Sequence, residues 1–196
     1  MRDARPDLAL GTTPLVQAAK EMGVPALYFT NLISARPLMG DLARYRANVG
    51  VVLFNRHGLV WYGQRHATPG PYNWQFPQGG VDEGEDLEAA ALRELREETG
   101  VRSVELLGRT HDWILYDFPP EAMNNAKAWR GFAGQKQQWF AFRFTGDDSE
   151  IDLGQDADIE FDAWRWGPLS EACDLIVPFK RPAYEQVVQA FARFAG

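Results

Sequence analysis

The sequence predicts a layered α+β domain in which a mixed β-sheet packs against a few helices. Short runs rich in β-branched and aromatic residues recur along the chain, separated by loops rich in Asn, Gly, Asp or Pro. Apolar residues at helical spacing occupy one long central segment and two segments near the C-terminus. These strands and helices do not alternate strictly, which argues against a doubly wound parallel sheet. With 196 residues, 45% of them hydrophobic, the chain is long enough to bury the core of one ordinary domain.

Residues 1–43 read differently from the rest and form an N-terminal extension of unassigned role. Gly11-Thr12-Thr13-Pro14 suits the start of a helix over residues 15–22, followed by an apolar stretch at 26–33. Residues 11–40 faintly resemble a piece of the nitrogenase-like chlorophyllide reductases. They lack metal-site spacing and are far too short to be such a domain.

The regular pattern, and with it the domain of residues 44–196, begins near Tyr45. A β-branched run at 49–54, the turn Asn55-Arg56-His57-Gly58 and a second run at 59–62 predict a hairpin. A Pro- and Gly-containing loop leads to residues 74–80. An acidic stretch then opens a helix over 86–99, with Asp82 or Glu83 expected near its first turn. Leu87, Ala91 and Leu95 mark its apolar face and Gly100 its C-cap. Strands follow at 104–107, 113–118, 138–144 and 161–166, then helices at 169–175 and 182–194, the second with Pro182 in its first turn.

Composition narrows the function classes. A formal charge of −7 argues against a protein that coats nucleic acid nonspecifically, yet leaves room for a small basic pocket around one phosphate tail. The lone Cys173 allows no internal disulfide and no zinc site built on several thiolates, which suits the cytoplasm. No signal peptide, transmembrane helix or membrane partner is expected.

The chemistry concentrates on the central helix. Glu94, Glu97 and Glu98 stand three and four residues apart, so their carboxylates project from nearly one face within about a turn. Crowded anions of this kind suit a hard divalent cation such as Mg²⁺, with Mn²⁺ as a substitute, because such ions prefer oxygen ligands. The bland alternative is a solvated helix face paired with Arg93 and Arg96.

The wider spacing separates the two readings. Gly79, five residues, Glu85, seven residues, Arg93-Glu94-Leu95, one residue, Glu97-Glu98, one residue, Gly100-Val101 fill every fixed position of the Nudix box. The chain therefore resembles the Nudix hydrolases, whose fold is an α/β/α sandwich. That resemblance implies that Glu94, Glu97 and Glu98 hold metal, that Glu85 supports them and that Arg93 orients them.

Beyond the box, the segments 45–50, 74–80, 134–140, 160–166 and 179–181 resemble the RNA pyrophosphohydrolases and the similar dinucleoside polyphosphate hydrolases. Ala47, where proline is common, and the longer loop at 66–73 depart from that pattern. The resemblance implies that Arg46, Arg65, Lys136 and Lys180 contact substrate phosphates and that Glu160 joins the metal cluster or acts as general base. The base itself is left open among Glu97, Glu98 and Glu160. Phe179 is either a base-stacking residue or a core residue. The tryptophans, Trp139, Trp164 and Trp166 among them, are expected in the core, and His57, His66 and His111 are unassigned.

The expected partner is a nucleotide polyphosphate or an RNA 5′ end. The expected reaction is removal of pyrophosphate from 5′-triphosphorylated RNA. The alternatives are hydrolysis of diadenosine tetraphosphate-type dinucleotides and a catalytically silent nucleotide-binding module. The oligomeric state is left open.

Overall fold

The computed structural model describes residues 41–119, 131–154 and 159–196. The helix expected at 15–22, and all but the last three residues of the expected extension, lie outside them. Among the described residues there are eight strands: β1 (Tyr45–Phe54), β2 (Val60–Arg65), β3 (Trp74–Gln75), β4 (Gln78–Gly80), β5 (Val104–Arg109), β6 (Ile114–Asp117), β7 (Gly134–Phe144) and β8 (Phe161–Gly167). The helices are α1 (Leu87–Thr99), α2 (Ala172–Leu175) and α3 (Arg181–Phe191).

The strands form one mixed sheet ordered β3-β2-β1-β7-β5, with β8 beside β2, β4 beside β1 and β6 beside β7. Its spine is the parallel pair β1–β7, in register from Tyr45 opposite Gly134 to Phe54 opposite Arg143. The other pairs are antiparallel. Because β1 is covered on both faces, its second half reads as an unbroken apolar run rather than an alternation.

The two faces of β1 enter two cores. Val49, Val51 and Leu53 pack with Ala90, Ala91 and Leu95 of α1. Val52 and Phe54 pack with Trp139, Tyr184, Val187 and Phe191, the last three from α3. The result is the expected sandwich, with α1 on one side of the sheet and α2 and α3 on the other.

Local chemistry fixes the ends of α1. Asp86 is the N-cap, its Oδ1 accepting from the backbone N–H groups of Glu88 (3.0 Å) and Ala89 (3.1 Å). Gly100 at φ 79° closes the helix in the left-handed region, donating to Arg96 O at 2.8 Å. Asp82 and Glu83 are not in the first turn, contrary to the sequence reading. They belong to a separate turn closed by Glu85 N donating to Asp82 O, so the helix opens where the capping side chain sits. The C-terminal elements also differ slightly: a 3-10 turn, Leu169–Glu171, precedes a short α2, and α3 ends at Phe191.

Replacing Leu95, which has no exposed surface, with Ala is expected to cost about 2–5 kcal/mol, by loss of burial and creation of a cavity. Asp86→Ala is expected to cost about 1 kcal/mol through loss of the cap. Urea unfolding of both variants measures the difference, and a larger effect at Asp86 would contradict this ranking.

Candidate active site

A cavity of about 450 Å³ opens where the start of β1, β4, the polar face of α1, β6, β7 and the segment before α3 meet. Its lining includes Glu94 and Glu98 from α1, Glu160 from the approach to β8, Arg46 from β1, Arg65 from β2, and Phe179 and Lys180. With Gly79 of β4 also in the lining, eight of the residues singled out in the sequence are brought to one place from six separate chain segments.

Arg93 organises the acidic end. Its Nε and one terminal nitrogen donate to both oxygens of Glu85, each at 2.8 Å. The other terminal nitrogen donates to Glu94 (2.7 Å) and Glu97 (3.1 Å), and Gly80 O accepts at 2.9 Å. These five contacts match the five N–H donors of a guanidinium. The Arg93 side-chain bonds hold the Glu85 carboxyl down to about 2 from its ordinary 4.5. A depressed carboxylate contributes stability that is present above its unfolded pKa and lost as pH falls through its folded one, here between about 4.5 and 2.

Glu94 and Glu98 experience the opposite shift. Burial raises Glu94 despite Arg93. Burial also raises Glu98 well above the usual range, reinforced by the charges of Glu160 and Glu94 and opposed by the Gln78 N–H bonded to its Oε2 at 3.1 Å. A Cβ on Gly79 would collide with the Glu94 carboxylate, and one on Gly80 with the Arg46 guanidinium. A side chain at either position would displace that carboxylate or guanidinium, so these glycines serve by close approach rather than by a left-handed turn.

Around this acidic end the cavity wall is cationic and polar. Lys180 is buried, with Nζ 5.7 Å from the centre of the Tyr116 ring, and burial lowers its pKa to about 8. Arg65 pairs with Glu160 at 3.1 Å. Gln137 Nε2 lies within hydrogen-bond distance of Asn48 (2.8 Å), Gln78 (3.1 Å) and Gln135 (3.3 Å), and Gln135 accepts from the Tyr116 hydroxyl at 2.7 Å. Sequence reasoning did not assign these amides. Their signal was the run Gln135, Gln137, Gln138 inside a strand otherwise apolar toward its end.

Other expectations fare differently. Phe179 is 36% exposed and lines the cavity, so it is not a core residue. Lys136 is not among the lining residues, and its Nζ stands 5.5 Å from the Trp113 ring centre. Successive strand residues face opposite sides, so Lys136 points away from the face that carries Gln135 and Gln137. Glu97 also lies outside the lining, turned toward Arg93. Trp139 is fully buried, whereas Trp164 and Trp166 are only partly so, and Trp166 donates to Asp148 at 3.1 Å.

The donor set fits a hard divalent cation. It offers carboxylate oxygens only, two of them on groups whose burial disfavours the bare anion. Among the described residues, however, no three acidic, His or Cys side chains already converge on one point. Glu94 and Glu160 are instead occupied by Arg93 and Arg65.

A box of glutamates fixed by one arginine at a polyphosphate-sized cavity defines a Nudix hydrolase, and a NUDIX domain family model matches residues 44–187. The chain belongs to that family, whose hydrolases need divalent metal ions. Among individual proteins, it is 68% identical over 155 residues to one named RNA pyrophosphohydrolase from Caulobacter vibrioides, covering 79% of this chain and 90% of that protein. A protein of the same name from Rhodopseudomonas palustris is 52% identical over 159 residues, covering 77% and 90%. Among solved structures, the Escherichia coli dihydroneopterin triphosphate pyrophosphohydrolase shares the fold with TM-score 0.56 and 22% identity, covering 74% of this chain and 98% of that one. A Caenorhabditis elegans Ap4A hydrolase does so at 0.54 and 20%, covering 76% and 98%.

Arg93→Lys is expected to lower kcat by roughly 10- to 100-fold, since a single ammonium cannot reproduce the fork that positions the glutamates. Steady-state rates beside thermal unfolding test this, and a wild-type kcat would contradict the positioning role. Lys180→Ala is expected to raise KM with a weakened salt dependence. An unchanged KM would remove Lys180 from the phosphate site.

Proposed function

We propose that this chain removes pyrophosphate from 5′-triphosphorylated RNA, using Mg²⁺, in the cytoplasm. The observation that carries the reading is the cavity joining the partly buried carboxylates Glu94 and Glu98 to Arg46, Arg65, Lys180 and the exposed ring of Phe179. A 5′-triphosphorylated end presents matching chemistry, with a polyphosphate for the cations and a base for the ring. The names of the Caulobacter and Rhodopseudomonas relatives support the same substrate. No helix among the described residues is long and apolar enough to cross a membrane.

In this reading Glu94, Glu97, Glu98 and Glu160 hold the metal, with Glu94, Glu97 and Glu160 turning from their arginine partners to do so. Bound Mg²⁺ supplies Lewis-acid polarisation of a phosphoryl oxygen and activation of water near neutral pH. Arg46 and Lys180 neutralise the phosphate chain where charge builds up during transfer. Arg65, released from Glu160, adds a third cation. The proton of the attacking water passes to Glu98 or Glu160, the two lining carboxylates outside the grip of Arg93. Water oxygen bonds to the phosphorus nearest the RNA, and the bridging oxygen departs with pyrophosphate.

The test compares pyrophosphate release from 5′-triphosphorylated RNA with cleavage of diadenosine tetraphosphate, both with Mg²⁺ and repeated with Glu98→Gln. Dominant RNA turnover that Glu98→Gln lowers by orders of magnitude is the expected result. The variant should melt no lower than wild type, because it removes a buried charge. Dominant dinucleotide cleavage would overturn the substrate assignment, and undiminished rates in the variant would overturn the metal assignment.

A further inference from the structure

We propose that Tyr72, carried on the loop of residues 66–73, is a specificity-determining residue that stacks on a nucleobase of the substrate, and that Asp162 positions it by clasping that loop. The inference rests on the RNA-end reading above and deepens it.

Five large hydrophobic side chains stand exposed among the described residues: Tyr72, Leu92, Leu106, Ile159 and Phe179. Two of them, Tyr72 at 46% and Phe179 at 36%, line the same cavity. They come from unrelated segments, the loop between β2 and β3 and the turn before α3. Tyr72 makes no hydrogen bond or ring contact with other described residues, so packing does not account for its position. A flat ring with few rotatable bonds, left open at the wall of a phosphate-binding cavity, is suited to receive another flat ring.

The loop is held in place rather than merely attached. At its base Arg65 N donates to Asn73 O at 2.8 Å, and β2 pairs with β3 through Gln64 opposite Trp74. Within it Asn73 Nδ2 donates to Thr68 O at 3.0 Å, and the Thr68 hydroxyl to His66 O at 3.1 Å. On its outer side Asp162 Oδ1 meets His66 Nδ1 at 2.6 Å, and Oδ2 accepts from Ala67 N at 3.3 Å. His66 N donates to Glu160 O at 2.8 Å. Ala67, at φ 50°, is the only non-glycine with positive φ among the described residues. A strained residue persists when its surroundings over-determine it, and such strain gathers at ligand clamps. Here the surroundings are the Asp162 carboxylate, and the clamped element carries Thr68, Tyr72 and Asn73 into the cavity wall.

The experiment measures equilibrium binding with Mg²⁺ in the Glu98→Gln background, so that affinity is read apart from turnover. The probes are a short 5′-triphosphorylated oligoribonucleotide and inorganic tripolyphosphate, which has no base. Tyr72→Ala is expected to raise the RNA Kd roughly fivefold or more, while the tripolyphosphate Kd stays unchanged and Tyr72→Phe binds like the parent. Asp162→Ala is expected to give the same RNA-selective loss and to add little on top of Tyr72→Ala, which a general structural defect would not do. An unchanged RNA Kd in Tyr72→Ala overturns the stacking role, as do equal losses on both probes or a Tyr72→Phe variant as weak as Tyr72→Ala. Additive losses overturn the role of Asp162. Wild-type protein that releases no pyrophosphate from RNA overturns the proposed function instead, an outcome read in a separate assay.

Discussion

The acidic end of the cavity depends on one guanidinium. Arg93 projects from α1 into a group of carboxylates that would repel one another, and it bonds Glu85, Glu94, Glu97 and the Gly80 carbonyl at once. Those contacts tie three things together: the helix that carries the glutamates, the acidic turn before it, and the strand β4 that runs beneath it. A lysine would provide charge but not this geometry, because its donors radiate from one point on a flexible stem. Glu98, which Arg93 does not reach, is left partly buried and charge-crowded in the cavity wall, and that condition favours a cation.

Positioning of α1 in turn rests on the sheet. The parallel pair β1–β7 forms a floor whose two faces are both dry, one against α1 and the other against α3. At its open end the same two strands stop being apolar and present Arg46, Asn48 and Gln135 to the cavity, with Gln137 buried behind Asn48. Gln137 links β7 to β1 and β4 through its amide, while its carbonyl accepts from the Trp139 indole at 3.1 Å. The polar lining is thereby continuous with the packed core, so the cavity walls are set by the core packing.

Much of this was legible in the chain. The Gly100 cap, the apolar face of α1, the hairpin and the carboxylate triplet all follow from local spacing, and local spacing survives folding. The four strands that follow α1 were placed to within a few residues. The errors arose where neighbours decide. Asp82 and Glu83 suit a helix start by charge, yet a competing turn took them. For Lys136 the strand's alternation decides the direction, which is toward Trp113 and not onto the face of Gln135.

By itself, then, the sequence determined on which elements the box residues and the candidate cations sit, because helical and strand periodicities and the fixed spacing of the box are properties of the chain alone. Only the tertiary structure decided which of them share a cavity, that Phe179 and Tyr72 stay exposed at it, and that Arg65 holds Glu160. Those facts depend on contacts between residues dozens of positions apart, such as β1 against β7. Distance in space, burial and the resulting electrostatics are fixed by how the elements pack, and no local pattern encodes them.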